Sequence, residues 1–184
     1  MTAGAPAATL ARMNLAELLV VLALLGLTLS GMLLALVQGR QVYAIGAARV
    51  EAQQNGRIAL ERLAREIRTA GAGGTGFDAI SVAEPQLIVL QLDRSGDGVI
   101  SQRGETITWR LDGAVLRRNA GGGAQPVING VQSLALDYLD ARGRPTRVPG
   151  EVRTVVIVLT TAADGGPPSA GLTTLTTQVR LRNR

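Results

Sequence analysis

The stretch Asp93-Arg-Ser-Gly-Asp-Gly-Val-Ile100 sets oxygen side chains at alternate positions, Asp93, Ser95 and Asp97, and follows them with Gly98. Alternate oxygens can converge on a calcium ion while glycine takes the sharp turn. Calcium is therefore the candidate cofactor, with Asp93, Ser95, Asp97 and Glu105 as candidate ligands. A complete loop of this kind ends on a bidentate acid at its twelfth position. Here that position is Gly104, and Glu105 comes one residue late. The alternative is a plain hairpin loop between two strands. The other notable acid is Glu17, at the edge of a run from Leu18 to Val37 that holds no charged residue. A carboxylate costs on the order of 3 kcal/mol at the centre of a membrane helix and less near the interface. Either Glu17 snorkels to the headgroups or it meets a cation from another chain.

Composition closes several other chemistries. The chain has no Cys and no His, which removes disulfides, thiolate nucleophiles, thiolate zinc sites and histidine acid–base catalysis. No acids gather into a carboxylate-based hydrolase site, and no convergent catalytic set is visible, so an enzyme is not expected. All nineteen basic residues are Arg, and the net charge of +5 is spread along the sequence without interleaved aromatics. That is not a nucleic-acid footprint. Aromatics make up only 2% of the residues, so a core must be built from Val, Leu and Ile.

The elements that position these residues follow from periodicity. Leu18–Val37 has the length that spans a bilayer as a helix, longer than the apolar stretch of a cleaved secretory signal. Arg12 before it favours an N-terminus inside and an exported C-terminal domain. From Gln38 to Ala70 there is no Pro, and Ala52, Gly56, Ala59, Leu63 and Ile67 recur at three- and four-residue steps on one stripe. Arg57, Glu61, Arg65 and Arg68 occupy other faces, with Arg57 and Glu61 one turn apart. Gly71-Ala-Gly-Gly-Thr-Gly76 then ends the helix. A continuous helix from Met13 to Thr69 would be ~85 Å long at the helical rise per residue. Gly26, Gly31, Gly46 and Gly56 are points where it could bend or admit a neighbouring helix.

Beyond the glycine loop the period becomes that of strands: Gln86–Leu92, Glu105–Leu111, Ala114–Arg118, Val131–Asp140, Val152–Thr161 and Leu172–Arg182. Ile107, Trp109 and Leu111 share a face, as do Leu134, Leu136 and Tyr138. Asp112-Gly113 predicts a type I′ hairpin turn. Asn119–Pro126, Ala141–Gly150 and Ala162–Gly171 read as Gly- and Pro-rich loops. One long helix followed by an antiparallel sheet is an α+β fold, with the helical stripe covering the sheet's apolar face.

The segment Arg12-Met-Asn-Leu-Ala-Glu-Leu-Leu-Val-Val-Leu-Ala-Leu-Leu-Gly26 resembles the N-terminus of type IV prepilins and type II secretion pseudopilins. Arg57-Ile-Ala-Leu-Glu-Arg-Leu-Ala-Arg-Glu-Ile-Arg-Thr-Ala-Gly71 is similar to the second half of the helix in PilW-like minor pilins and GspJ-type pseudopilins. Ile107–Arg118, Asn129–Asp140 and Thr177–Asn183 are similar to the PilW-like group. This chain has Arg12 where the family has Gly, Asn14 for the usual Thr, and Ala16 for Ile.

The resemblance implies a pilin-like fold and four segments: a leader over 1–12, a membrane-spanning and assembly half over 13–37, an amphipathic half over 38–70, and an exported β domain over 71–184. It implies a prepilin peptidase cutting between Arg12 and Met13, methylation of Met13, and Glu17 neutralising the N-terminal amine of an adjacent subunit. The expected function is that of a minor pilin or pseudopilin in a type IV pilus or type II secretion pseudopilus. Its partners would be other such subunits, and its site the inner membrane before the filament. The alternative is a single-span membrane protein whose exported β domain binds a ligand or partner without polymerising.

Overall fold

The computed structural model describes residues 14–74, 76–163 and 166–183, and the chain divides into two compact units between Tyr43 and Ala44. Helix α1 (Leu15–Thr69) contributes to both. In the first unit every described residue is exposed, including the apolar run that follows Glu17. This stretch of α1 is long and apolar enough to cross a membrane.

In the second unit α1 buries the expected stripe of Ala52, Gly56, Ala59, Leu63 and Ile67, with Ala48, Leu60 and Ala64 beside it. Arg57 and Glu61 lie on the exposed side and pair at 2.9 Å. Two antiparallel sheets pack against the stripe, where the pattern predicted one. The first is a meander of β1 (Ile80–Glu84), β2 (Leu87–Gln91), β3 (Thr106–Asp112), β4 (Val115–Asn119) and β5 (Gln125–Ile128). The second is β6 (Val131–Leu139), β7 (Thr154–Thr161) and β8 (Thr173–Arg180). Trp109, Ile88, Leu90 and Leu116 from the first sheet join Leu134, Tyr138, Ile157 and Leu159 from the second in one core with Leu63 and Ile67. Each large aliphatic side chain buried there stabilises by roughly 1.5–3 kcal/mol.

The small residues of the stripe let the second sheet come close. A Cβ at Gly56 would meet Leu175 Cδ1 at 2.7 Å and Thr161 Oγ1 at 3.4 Å. A strand pair, not a neighbouring helix, thus uses the gap at Gly56. Beside it the Thr161 hydroxyl donates to the Ala52 carbonyl at 3.0 Å, and Arg49 Nε donates to the Ala170 carbonyl at 3.2 Å.

Three local expectations change. The β3–β4 turn is centred on Gly113-Ala114, because Asp112 pairs with Val115. Gly113 alone has positive φ, at 60°, the pattern of a type II′ turn. The expected loop Asn119–Pro126 ends inside β5, whose Pro126 pairs with Arg117. Proline is tolerated there because β5 is an edge strand that, among the described residues, has no outer neighbour to receive an N–H. β1 is an added strand that carries only Ile80 and Val82 as large apolar residues, too few to stand out from the loop before it.

Candidate functional site

The first candidate lies at the start of α1. Arg12 and Met13 fall outside the described residues. Asn14 is the N-cap, its carbonyl taking the Leu18 N–H at 3.1 Å. Glu17, three residues on, turns back so that Oε2 accepts the Asn14 N–H at 3.1 Å. This is the acidic half of a capping box, and it sets a carboxylate against the positive end of the helix dipole. Glu17 therefore has a local partner within its own helix. The same geometry holds its charge next to the amide that follows Met13, with exposed apolar residues continuing along the helix behind it.

The second candidate is the loop from Asp93 to Glu105, which joins β2 to β3. The structure brings the two acids into one loop but occupies their oxygens from within. Glu105 is fully buried. Its Oε1 accepts the N–H groups of Arg94 and Ser95 at 3.1 and 3.2 Å, and its Oε2 those of Ser101 and Gln102 at 3.1 and 2.7 Å. Asp93 Oδ1 accepts the Ser95 hydroxyl and the Gly96 N–H, and Oδ2 the Gly98 N–H at 2.9 Å. Asp97 turns to the Val99 N–H at 2.9 Å.

A carboxylate offers about four lone-pair sites, and at Glu105 four N–H donors take them. The donors present thus do not fit a calcium ion, and among the described residues no group of three or more acids could hold a metal. The plain-loop alternative accounts for the geometry: Glu105 is the internal post around which the loop folds. The Gln102 N–H foremost, with those of Ser101, Ser95 and Arg94, holds its carboxyl down at about 2 although burial pushes it up. The Gly98 N–H foremost holds the Asp93 carboxyl below its ordinary value against burial and the neighbouring Glu105, with help from Gly96 and Ser95.

Other polar fastenings went unread in the sequence. Glu66, on the flank of the buried stripe, accepts Trp109 Nε1–H from β3 through Oε2 and Arg118 Nε–H from β4 through Oε1. The signal was a lone Trp on a core-facing strand, since a buried indole N–H needs an acceptor. At the far end of α1 the Asn183 amide donates to the carbonyls of Thr69 and Ala70, at 3.3 and 3.1 Å, and so satisfies the helix C-terminus. Tyr138 donates its hydroxyl to the Glu84 carbonyl at 2.7 Å, tying β6 to β1. Burial pushes that phenol's pKa up. These groups hold elements together.

No family model matches the chain, and no curated protein matches it. Among solved structures the chain is similar to a type IV-like pilin from Thermus thermophilus, with 16% sequence identity over 71% of this chain and 97% of that one, at a TM-score of 0.48. At that identity and TM-score, neither family nor role follows from the likeness.

Proposed function

We propose that the chain is a structural, self-assembling subunit of the type IV pilin class: a minor pilin or pseudopilin that joins or primes a pilus or a type II secretion pseudopilus through its N-terminal helix. The observation that carries this reading is the pairing of an apolar first half of α1, whose described residues are all on the surface, with one carboxylate in its first turn. The sequence pattern around Met13–Gly26 supports it. In this reading residues 1–12 are a leader removed by a prepilin peptidase between Arg12 and Met13, Met13 is methylated, 13–37 spans the inner membrane with the N-terminus inside, 38–70 is the amphipathic half, and 71–184 is the exported β domain.

The physics of assembly is an exchange of surroundings. Lipid and neighbouring helices are equally apolar, so residues such as Leu22, Leu29 and Leu33 gain little from burial itself when subunits meet. A charge pair across the interface then supplies register: the Met13 amine of one subunit opposite Glu17 of the next neutralises both. No catalytic step is involved.

The test uses the fact that glutamine can serve a capping box as glutamate does. Glu17→Gln keeps the helix start and removes the charge. Loss of the subunit from sheared filaments or secretion pseudopili, with membrane insertion unchanged, is the expected result. Unchanged incorporation would overturn the role of Glu17 in register, and absence of the unmodified chain itself from filaments would favour the anchored, non-polymerising alternative. Mass spectrometry of the mature N-terminus should find a methylated Met13, whereas a chain beginning at Met1 would overturn the processing step.

A further inference from the structure

Three of the four sheet edges are defended. β5 carries Pro126, β1 is short and breaks register between Ile80 and Val82, and β6 has a bulge between Val131 and Ser133 while its Leu136 N–H bonds to the Pro85 carbonyl. These are the usual devices that keep an edge from recruiting another strand. β8 has none of them. Its register with β7 runs from Thr154↔Arg180 to Thr161↔Thr173 without a shift, and Thr173–Val179 contains neither proline nor charge. Among the described residues no other strand lies on its outer side.

Beside this open edge runs a groove of about 480 Å³ between β8 and α1. Its floor is apolar, formed by Leu60, Ala64 and Leu175. Its wall is cationic: Arg57 is matched by Glu61, but Arg65 and Arg68 are exposed and form no ion pair among the described residues.

We infer that β8 is a docking edge for an extended acidic segment of another protein, which adds as a fourth strand to β6-β7-β8. Its backbone would pair with the β8 edge. Its helix-facing side chains, every second residue, would be apolar over Leu60 and Ala64 and carboxylates opposite Arg65 and Arg68. Guanidinium–carboxylate pairs would select the partner and the strand pairing would hold it. The groove belongs to the second unit alone, so the inference stands or falls separately from the filament reading.

The experiment uses the full chain in nonionic detergent and a labelled peptide of about eight residues, the length of β8, alternating threonine with valine or glutamate. Fluorescence anisotropy reads binding, and amide hydrogen exchange reads where it occurs. Saturable binding with new protection across Thr173–Arg180 is expected. The double variant R65E/R68E, with its fold checked by Trp109 fluorescence, should bind the peptide about tenfold more weakly, and a peptide with lysine in place of glutamate should recover the loss. No binding, binding without β8 protection, or equal affinity for both peptides overturns the inference. So does β8 protection that rises with protein concentration alone, since the occupant is then a second copy of this chain.

Discussion

Glu66 and Arg118 meet at 2.7 Å, although they are 52 residues apart in the chain, and both are mostly shielded from water. The other oxygen of the same carboxylate takes the indole N–H of Trp109. One side chain of α1 thereby ties the helix to two adjacent strands of the first sheet.

Glu66→Ala leaves a shielded guanidinium and a buried indole N–H without an acceptor. A loss of about 2 kcal/mol is expected, read by urea unfolding in detergent with Trp109 as the single-tryptophan probe. Glu66→Gln, which still accepts one bond, should lose less. A change in stability within about 0.5 kcal/mol of zero for the alanine variant would mean that the clamp is idle.

Stability should fall on acidification. The Glu105 carboxyl has an ordinary value of 4.5 and is held at about 2 in the folded chain. Its contribution is complete above 4.5 and drains away as the pH falls from there through 2, because the unfolded chain takes up the proton first. Asp93 and Asp140 are shifted in the same direction, Asp140 mainly through the Arg144 N–H. Unfolding midpoints measured down this range should drop, and Glu105→Gln should show a shallower slope with a lower midpoint at neutral pH. An unchanged slope in that variant counts against the caged carboxylate.

Calcium should leave the protein unmoved. With four N–H donors on Glu105 and three donors on Asp93, an ion would have to displace backbone bonds. Thermal unfolding with and without about 1 mM calcium, the range of weak extracellular sites, should coincide. A clear calcium-dependent rise in the midpoint would restore the ion-binding loop.

Gly56 should tolerate a methyl group and nothing larger. Gly56→Ala pushes only the mobile end of Leu175, and the gain in helix propensity, about 1 kcal/mol, offsets that displacement. Gly56→Val drives a branched side chain into Leu175 and Thr161, for a loss of about 1–3 kcal/mol. Equal stability of the two variants would show that the helix and second sheet are less closely apposed than described.

Several of these features were legible because they are local. The stripe Ala52–Ile67 follows from a 3.6-residue period, and its buried members match it position for position. Glu105 could have been read from the same logic at period two. It shares parity with Ile107 and Trp109, which point into the core, so a ligand aimed at solvent was the less natural reading. The β3–β4 turn slipped by one residue because Asp112-Gly113 and Gly113-Ala114 both offer Gly113 for positive φ, and only cross-strand pairing chooses between them.

The amino-acid order alone determined the long helix, its apolar and amphipathic halves, and most strands, because each depends on neighbours within a turn or a pleat. Only the tertiary structure decided that the strands form two sheets, that Pro126 lies in an edge strand, that Glu66 answers Trp109 and Arg118, and that β8 is left open beside Arg65 and Arg68. Those outcomes rest on groups brought together from distant points of the chain, and short-range periodicity carries no information about which distant surfaces will meet.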